Sequence, residues 1–190
     1  MKIVSDSIEV KSRLRRYKPS LSSKIIQPDE SYNYKKLEDL SKELINCSDT
    51  NDKTQLLLYI ADEIVKQDGV KAYAVCQHGC AHCCKIHVSV TALEAYLIGQ
   101  EIGKNPVQRK VQSKNDYCQF LDKNNASCTI YKVRPLHCRS FHSLDHYEYC
   151  TDLKIEHLIF KTAYSVRLLE IEKTLQSGSR CLVADIREWF

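Results

Sequence analysis

The chain has 190 residues, 43% of them hydrophobic, which suits one ordinary core and a single domain. A formal charge of +4 is a mild basic bias, well short of a nucleic-acid-binding composition. No window is long and apolar enough to span a bilayer, and the opening MKIVSDSIEVKSRLRRYK lacks the apolar stretch of a secretory signal. A cytoplasmic location is therefore expected.

Residues 1–30 read as a loosely ordered basic arm, with Lys11, Arg13, Arg15, Arg16 and Lys18 either solvated or poised to bind an anion. Residues 31–190 read as a helical cysteine-cluster domain with its metal-binding core over 76–150. Leu37, Leu40, Leu44 and Ile45 recur at helical spacing between Tyr34 and Asn46. Leu56, Leu57, Ile60, Ile64 and Val65 do so between Lys53 and Gln67, where Asp68-Gly69 closes the helix.

The run KIHVSV (85–90) alternates like a short strand. Thr91 and Glu94 then form a capping box for a helix carrying Leu93, Tyr96, Leu97 and Ile102. Lys104-Asn105-Pro106 ends that helix and opens a possible short one reaching Lys114. Cys118–Leu121 and Cys128–Tyr131 read as strands of a hairpin joined by DKNNA. The longest helix is expected over Asp152–Gln176, with Leu153, His157, Phe160, Tyr164, Leu168, Ile171 and Leu175 on its buried stripe and Gly178 as its stop. CLVADIREWF reads as a final short helix docking Trp189 and Phe190 on the body. The expected fold is mainly α: a single helical domain with a small β-hairpin next to a cysteine-rich metal site.

The five glycines form neither a GxGxxG nor a GxxxxGK[ST] frame, so backbone cradles for a dinucleotide or a triphosphate are not indicated. A GxSxG elbow and an HExxH helix are also missing. The ten cysteines carry the chemistry instead. Four of them, Cys76, Cys80, Cys83 and Cys84, fall within CQHGCAHCC; four more, Cys118, Cys128, Cys138 and Cys150, follow at longer intervals.

In a reducing cell, thiolates held side by side repel one another unless a cation neutralises them, and that cation drives their deprotonation. Metal binding is thus the leading reading, with disulfides or inert buried thiols as the alternatives. Zinc takes four ligands in a tetrahedron, and an iron–sulfur cluster likewise takes four thiolates. Eight cysteines suit two such centres, or one centre with spectators. The adjacent Cys83 and Cys84 point apart in extended chain, which fits two neighbouring centres, or two corners of a cluster, better than one zinc.

Pro135 suits the first turn of a helix whose N–H groups could face sulfur. Arg134 and Arg139 either offset the thiolate charge or pair with surface carboxylates. His78, His82, His137, His142 and His146 read as polar neighbours, each capable of replacing a cysteine. Cys47 and Cys181 read as ordinary buried cysteines.

These residues resemble a known family. CQHGCAHCC with VSVTALEA, followed by CQFLDKNNASCTIYKVRPLHCRSF and a later cysteine, is similar to the YkgJ-type CxxCxxCC cysteine-cluster proteins, described as zinc- or iron-chelating. The match covers about residues 76–150. It implies that Cys76, Cys80, Cys83, Cys84, Cys118, Cys128, Cys138 and Cys150 form a metal centre. Two departures stand out: Gln77, His78 and Gly79 intervene where the family shorthand has two residues, and Ser140-Phe141-His142 replaces an aromatic–proline pair after Cys138-Arg139.

The expected function is a metal-binding protein whose eight-cysteine cluster holds iron, as an iron–sulfur cluster, or zinc, with a slight lean to iron–sulfur. One alternative is a metal-dependent protein-modifying enzyme resembling the flagellin lysine methylases, although this chain is shorter and has no glycine-rich loop for a nucleotide-like methyl donor. The other is a zinc-stapled module that presents its basic residues to a protein partner. A nucleic-acid or membrane partner is not indicated.

Overall fold

The computed structural model describes residues 1–19, 26–108, 116–152 and 154–190. Seven α-helices lie among them: α1 (Ile8–Arg13), α2 (Lys35–Asn46), α3 (Thr50–Gln67), α4 (Val70–Tyr73), α5 (Ala92–Ile102), α6 (Leu136–Ser140) and α7 (Val166–Gly178). The strands are short and pair two by two, so the protein is mainly α, as expected.

The scaffold is α3, which packs against α2, α5, α6 and α7. It begins at Thr50, three residues before the expected start at Lys53, because the Asp49 carboxylate caps it by accepting from the Asn51 and Asp52 amides. Leu58, Ala61 and Val65 are fully enclosed and meet Ile98 of α5 and Leu168 of α7 in one core. Each such aliphatic side chain contributes about 1.5–3 kcal/mol by leaving water. Leu37, Leu40 and Leu44 bring α2 against this core, while Ile45 projects into solvent.

The Thr91 capping box forms as the sequence predicts. Glu94 accepts from the Thr91 amide at 2.8 Å and Thr91 Oγ1 accepts from the Glu94 amide at 3.4 Å. Gly103, at φ 67°, ends α5 in the left-handed conformation that glycine adopts without strain. Residues 104–108 are not helical, and most of the further helix expected toward Lys114 lies outside the described residues.

Two expectations are overturned at the C-terminal side. The long helix over 152–176 begins only at Val166. Before it, Leu158, Phe160 and Thr162 are buried at every second position, a strand period that the helical stripe overlooked. Here β5 (Ile159–Phe160) pairs antiparallel with β4 (His142–Ser143). The final helix is likewise replaced by β6 (Val183–Asp185), followed by a 3-10 turn over Ile186–Glu188. β6 pairs with β1 (Ser89–Thr91), setting Val90 opposite Ala184, and the Trp189 indole N–H donates to the Val90 carbonyl at 3.1 Å. Trp189 and Phe190 do dock on the core, with Phe190 edge-on to Phe120.

The predicted hairpin exists but is shorter: β2 (Leu121–Asp122) pairs with β3 (Ser127–Cys128). Its turn is built by Asp122 accepting from the Asn124 amide and Asn125 accepting from the Ser127 amide.

Glu63 ties α2 to α3. Its buried carboxylate meets Lys36 at 2.9 Å, Lys66 at 2.5 Å and the Tyr32 hydroxyl at 3.0 Å. Burial alone would raise its pKa, but these three donors outweigh burial and hold the carboxyl at about 2. The stabilisation is present above about pH 4.5, the ordinary value, and is lost as pH falls toward 2. Glu63→Gln should therefore lower stability at pH 7 by about 2 kcal/mol and flatten the acid limb of urea midpoints measured between pH 5 and pH 2.

Candidate metal centre

The first cysteine arm leaves α4 and is held at both ends. The Val75 amide donates to the Ser143 carbonyl at 2.9 Å, and the Ser143 amide donates to the Cys76 sulfur at 3.3 Å. The loop turns at Gly79, whose φ of 82° favours glycine and where a Cβ would crowd the Val4 side chain at 2.5 Å. Residues of the basic arm line this loop: Ile3 donates to Gly79, Ala81 donates to Met1, and Lys2 bridges Cys80. Val10 of α1 is buried with Val75 and Tyr147, and Arg13 donates to the Lys71 and Ala74 carbonyls.

Cys83 and Cys84 follow on a 3-10 turn over His82–Lys85. The Cys84 carbonyl then accepts from the Cys118 amide at 2.8 Å, joining the two arms through their backbones. Cys128 lies across the hairpin from Leu121, and Cys138 stands on α6. Cys150 lies on a 3-10 turn over Tyr147–Thr151 that packs against the turn bearing Cys83 and Cys84. All ten cysteines are free.

The thiols fall into two neighbourhoods. Cys76 and Cys150 both lie within electrostatic reach of Cys80. Cys138 is surrounded by Cys118, Cys128 and Cys84; burial first, then these like charges, push its thiol well above the ordinary value. Burial is also the main cause that pushes Cys118 up to about 12 and Cys150 up to about 11. Cys84 is raised by its hydrogen bond with Cys83 and then by burial. Cys80 also senses Cys84, so the two neighbourhoods adjoin.

Backbone amides aim at the sulfurs. Burial raises the thiols of Cys80, Cys118 and Cys128, and the backbone amides of His82, Phe120 and Ile130, each two residues along, act the other way by favouring the thiolate. This donor set suits a soft cation, which needs sulfur and benefits from N–H groups turned toward it. Among the described residues, no three His, Cys, Asp or Glu side chains are grouped closely enough to hold a metal ion.

The residue that fastens the arms escaped sequence reading. Arg187 donates to the Lys85 and Ile86 carbonyls just after Cys84, and to the Asp116 carbonyl just before Cys118. Its guanidinium also pairs with Asp185 at 2.7 and 2.9 Å, and both residues are buried. The available signal was Asp185-Ile-Arg-Glu188, a second capping box with Glu188 accepting from the Asp185 amide.

The open question about the two arginines resolves differently for each. Arg139 is buried, pairs with Asp62 of α3 and donates to the Arg134 and Lys132 carbonyls, so it fastens α6. Arg134 also meets Asp62, at 3.9 Å, but it sits over the Tyr131 ring and its charge reaches Cys128 and Cys138. The α6 amide freed by Pro135 does not face sulfur: Leu136 N–H donates to Glu94 at 2.8 Å.

His137 pairs with Glu172, His146 accepts from the Glu148 amide, and His82 stacks on Tyr147. His78 is exposed, while both ring nitrogens of His142 are buried without a hydrogen-bond partner. Cys47 is half-buried and Cys181 is exposed at φ 58°, so neither is the buried thiol that was expected.

Fold and thiols together define a helical cysteine-cluster domain. The CxxCxxCC family model, described as "Putative zinc- or iron-chelating domain", matches residues 75–181, more than half of the chain, and the protein belongs to that family. No curated protein and no solved structure matches it.

Arg187→Leu removes a buried charge partner and three carbonyl contacts, and should cost about 3–5 kcal/mol in urea unfolding. Arg180→Leu, on an exposed residue, should change stability by less than about 0.5 kcal/mol.

Proposed function

We propose that the protein chelates zinc or iron in two adjoining thiolate centres built from its eight clustered cysteines. Cys84, Cys118, Cys128 and Cys138 supply one centre. Cys76, Cys80 and Cys150 supply the other, with Cys83, on the turn between them, as the eighth thiol. The observation that carries this reading is the meeting of the two cysteine arms, with the Cys118 amide donating to the Cys84 carbonyl and the Ser143 amide donating to the Cys76 sulfur. A neutral thiol is a weak acceptor; a metal thiolate is a strong one.

The raised thiol pKa values support the same reading from the other side. At neutral pH the buried thiols hold their protons, so a cation must displace them as it draws the sulfurs together. Four thiolates serve zinc in a tetrahedron and serve an iron–sulfur cluster equally well. Placing only Cys84 of the adjacent pair in the second centre also avoids the strain of setting neighbouring residues on one ion. Two cavities in the protein, one beside His137 and Glu172 and one beside Tyr96 and Pro106, include no cysteine in their walls.

Elemental analysis and an absorption spectrum of anaerobically purified protein identify the metal: broad charge-transfer bands with sulfide for iron–sulfur, a colourless sample with zinc otherwise. Cys128→Ser and Cys76→Ser should each remove one centre and leave the other, whereas Cys47→Ser should remove neither. A single variant that empties both would overturn the two-centre reading. Zinc added to the metal-free chain should release about four protons per four-thiolate centre at pH 7, with affinity falling as pH is lowered.

A further inference from the structure

Asp145 and His157 form a device that the eight cysteines leave unexplained. Asp145 is fully buried beyond β4, where its carboxylate accepts from the Ser143 hydroxyl at 3.2 Å, the His146 amide at 2.7 Å and the Leu158 amide at 2.7 Å. Its fourth donor is the His157 ring, Nδ1 to Oδ1 at 3.1 Å. The His157 side chain is only 9% exposed, and its other nitrogen, Nε2, faces the Cys150 sulfur at 3.9 Å.

A carboxylate this well supplied with donors stays ionised and keeps the ring proton on Nδ1. The lone pair on Nε2 is thereby directed at the thiol neighbourhood of Cys76, Cys80 and Cys150. Zinc–sulfur and zinc–nitrogen bonds of about 2.3 and 2.0 Å in a tetrahedron set their donor atoms about 3.5 Å apart. The Cys150–His157 separation is within a few tenths of an ångström of that value.

We propose that His157 is a ligand of the first centre, giving it three sulfurs and one nitrogen, and that Asp145 is its positioning residue. The inference rests on the two-centre reading above and refines it. His157 takes the fourth position beside Cys76, Cys80 and Cys150, and Cys83 remains hydrogen-bonded to Cys84 at the edge of the second centre. A buried imidazole backed by a carboxylate is the arrangement that metal-ligating histidines use to fix their tautomer.

Full-length protein loaded with cadmium-113 tests this without a variant. A scalar coupling between one cadmium and the His157 ring is expected; its absence in protein carrying two cadmium ions overturns the proposal. With cobalt, His157→Ala should fall from about two bound ions to about one and lose the absorption bands of a three-sulfur, one-nitrogen site. Asp145→Asn should weaken the first ion about 10- to 100-fold and leave the second unchanged. Unchanged cobalt content and spectrum in His157→Ala, with loss of the first ion in Cys83→Ser, assigns the fourth position to sulfur and overturns the inference alone. A wild-type chain that takes up no cobalt overturns the two-centre reading and this inference with it.

Discussion

The site depends on a seam where two distant stretches of backbone meet, the Cys84 carbonyl accepting from the Cys118 amide. One hydrogen bond of this kind contributes only about 1 kcal/mol net, so it cannot hold two loops by itself. Arg187 supplies the rest by spanning both sides of the seam with three carbonyl contacts. That guanidinium is affordable in the interior only because Asp185 neutralises it, and Asp185 is placed by the pairing of β6 with β1. The cysteine neighbourhoods are therefore assembled from the far end of the fold as much as from their own loops.

The first arm has a comparable support on its other side. Residues 1–3 run along the loop of Gly79 to Ala81, and Gly79 lacks a side chain where Val4 passes. Val10 then anchors α1 between Val75 and Tyr147. The basic residues of this segment are partly committed to that packing, with Arg13 on the carbonyls that end α4. The thiol-bearing loops have little regular secondary structure of their own. They are held by their neighbours, and the neighbours are drawn from both sides of the sequence.

Much of the helical scaffold was legible because its signals are local. The Thr91–Glu94 box, the apolar spacing of α2 and α3, and the end of α5 before Lys104-Asn105-Pro106 each lie within a few residues of the element they define. The segment over 152–165 was misread for the opposite reason. A helical stripe can be traced through Leu153, His157, Phe160 and Tyr164, yet Leu158, Phe160 and Thr162 are the buried set, because Asp145 and β4 stand ready to take a strand. The hairpin shows a milder case, where Asp122 and Asn125 shorten the strands by folding the turn back on their own carboxylate and amide oxygens.

By itself the sequence determined the chemistry and its order: ten thiols, eight of them in two arms, on a mainly helical chain of the CxxCxxCC family. Spacing along a chain limits which donors can lie near one another in a loop, and that much is written in CQHGCAHCC. Only the tertiary structure decided which thiols became neighbours across the arms, that Arg187 would fasten them, and that His157 would turn its ring toward Cys150. Those relations depend on β1 meeting β6 and β4 meeting β5, contacts between residues far apart in sequence. No local pattern can specify such a meeting, because burial rewards it only once both partners are already folded.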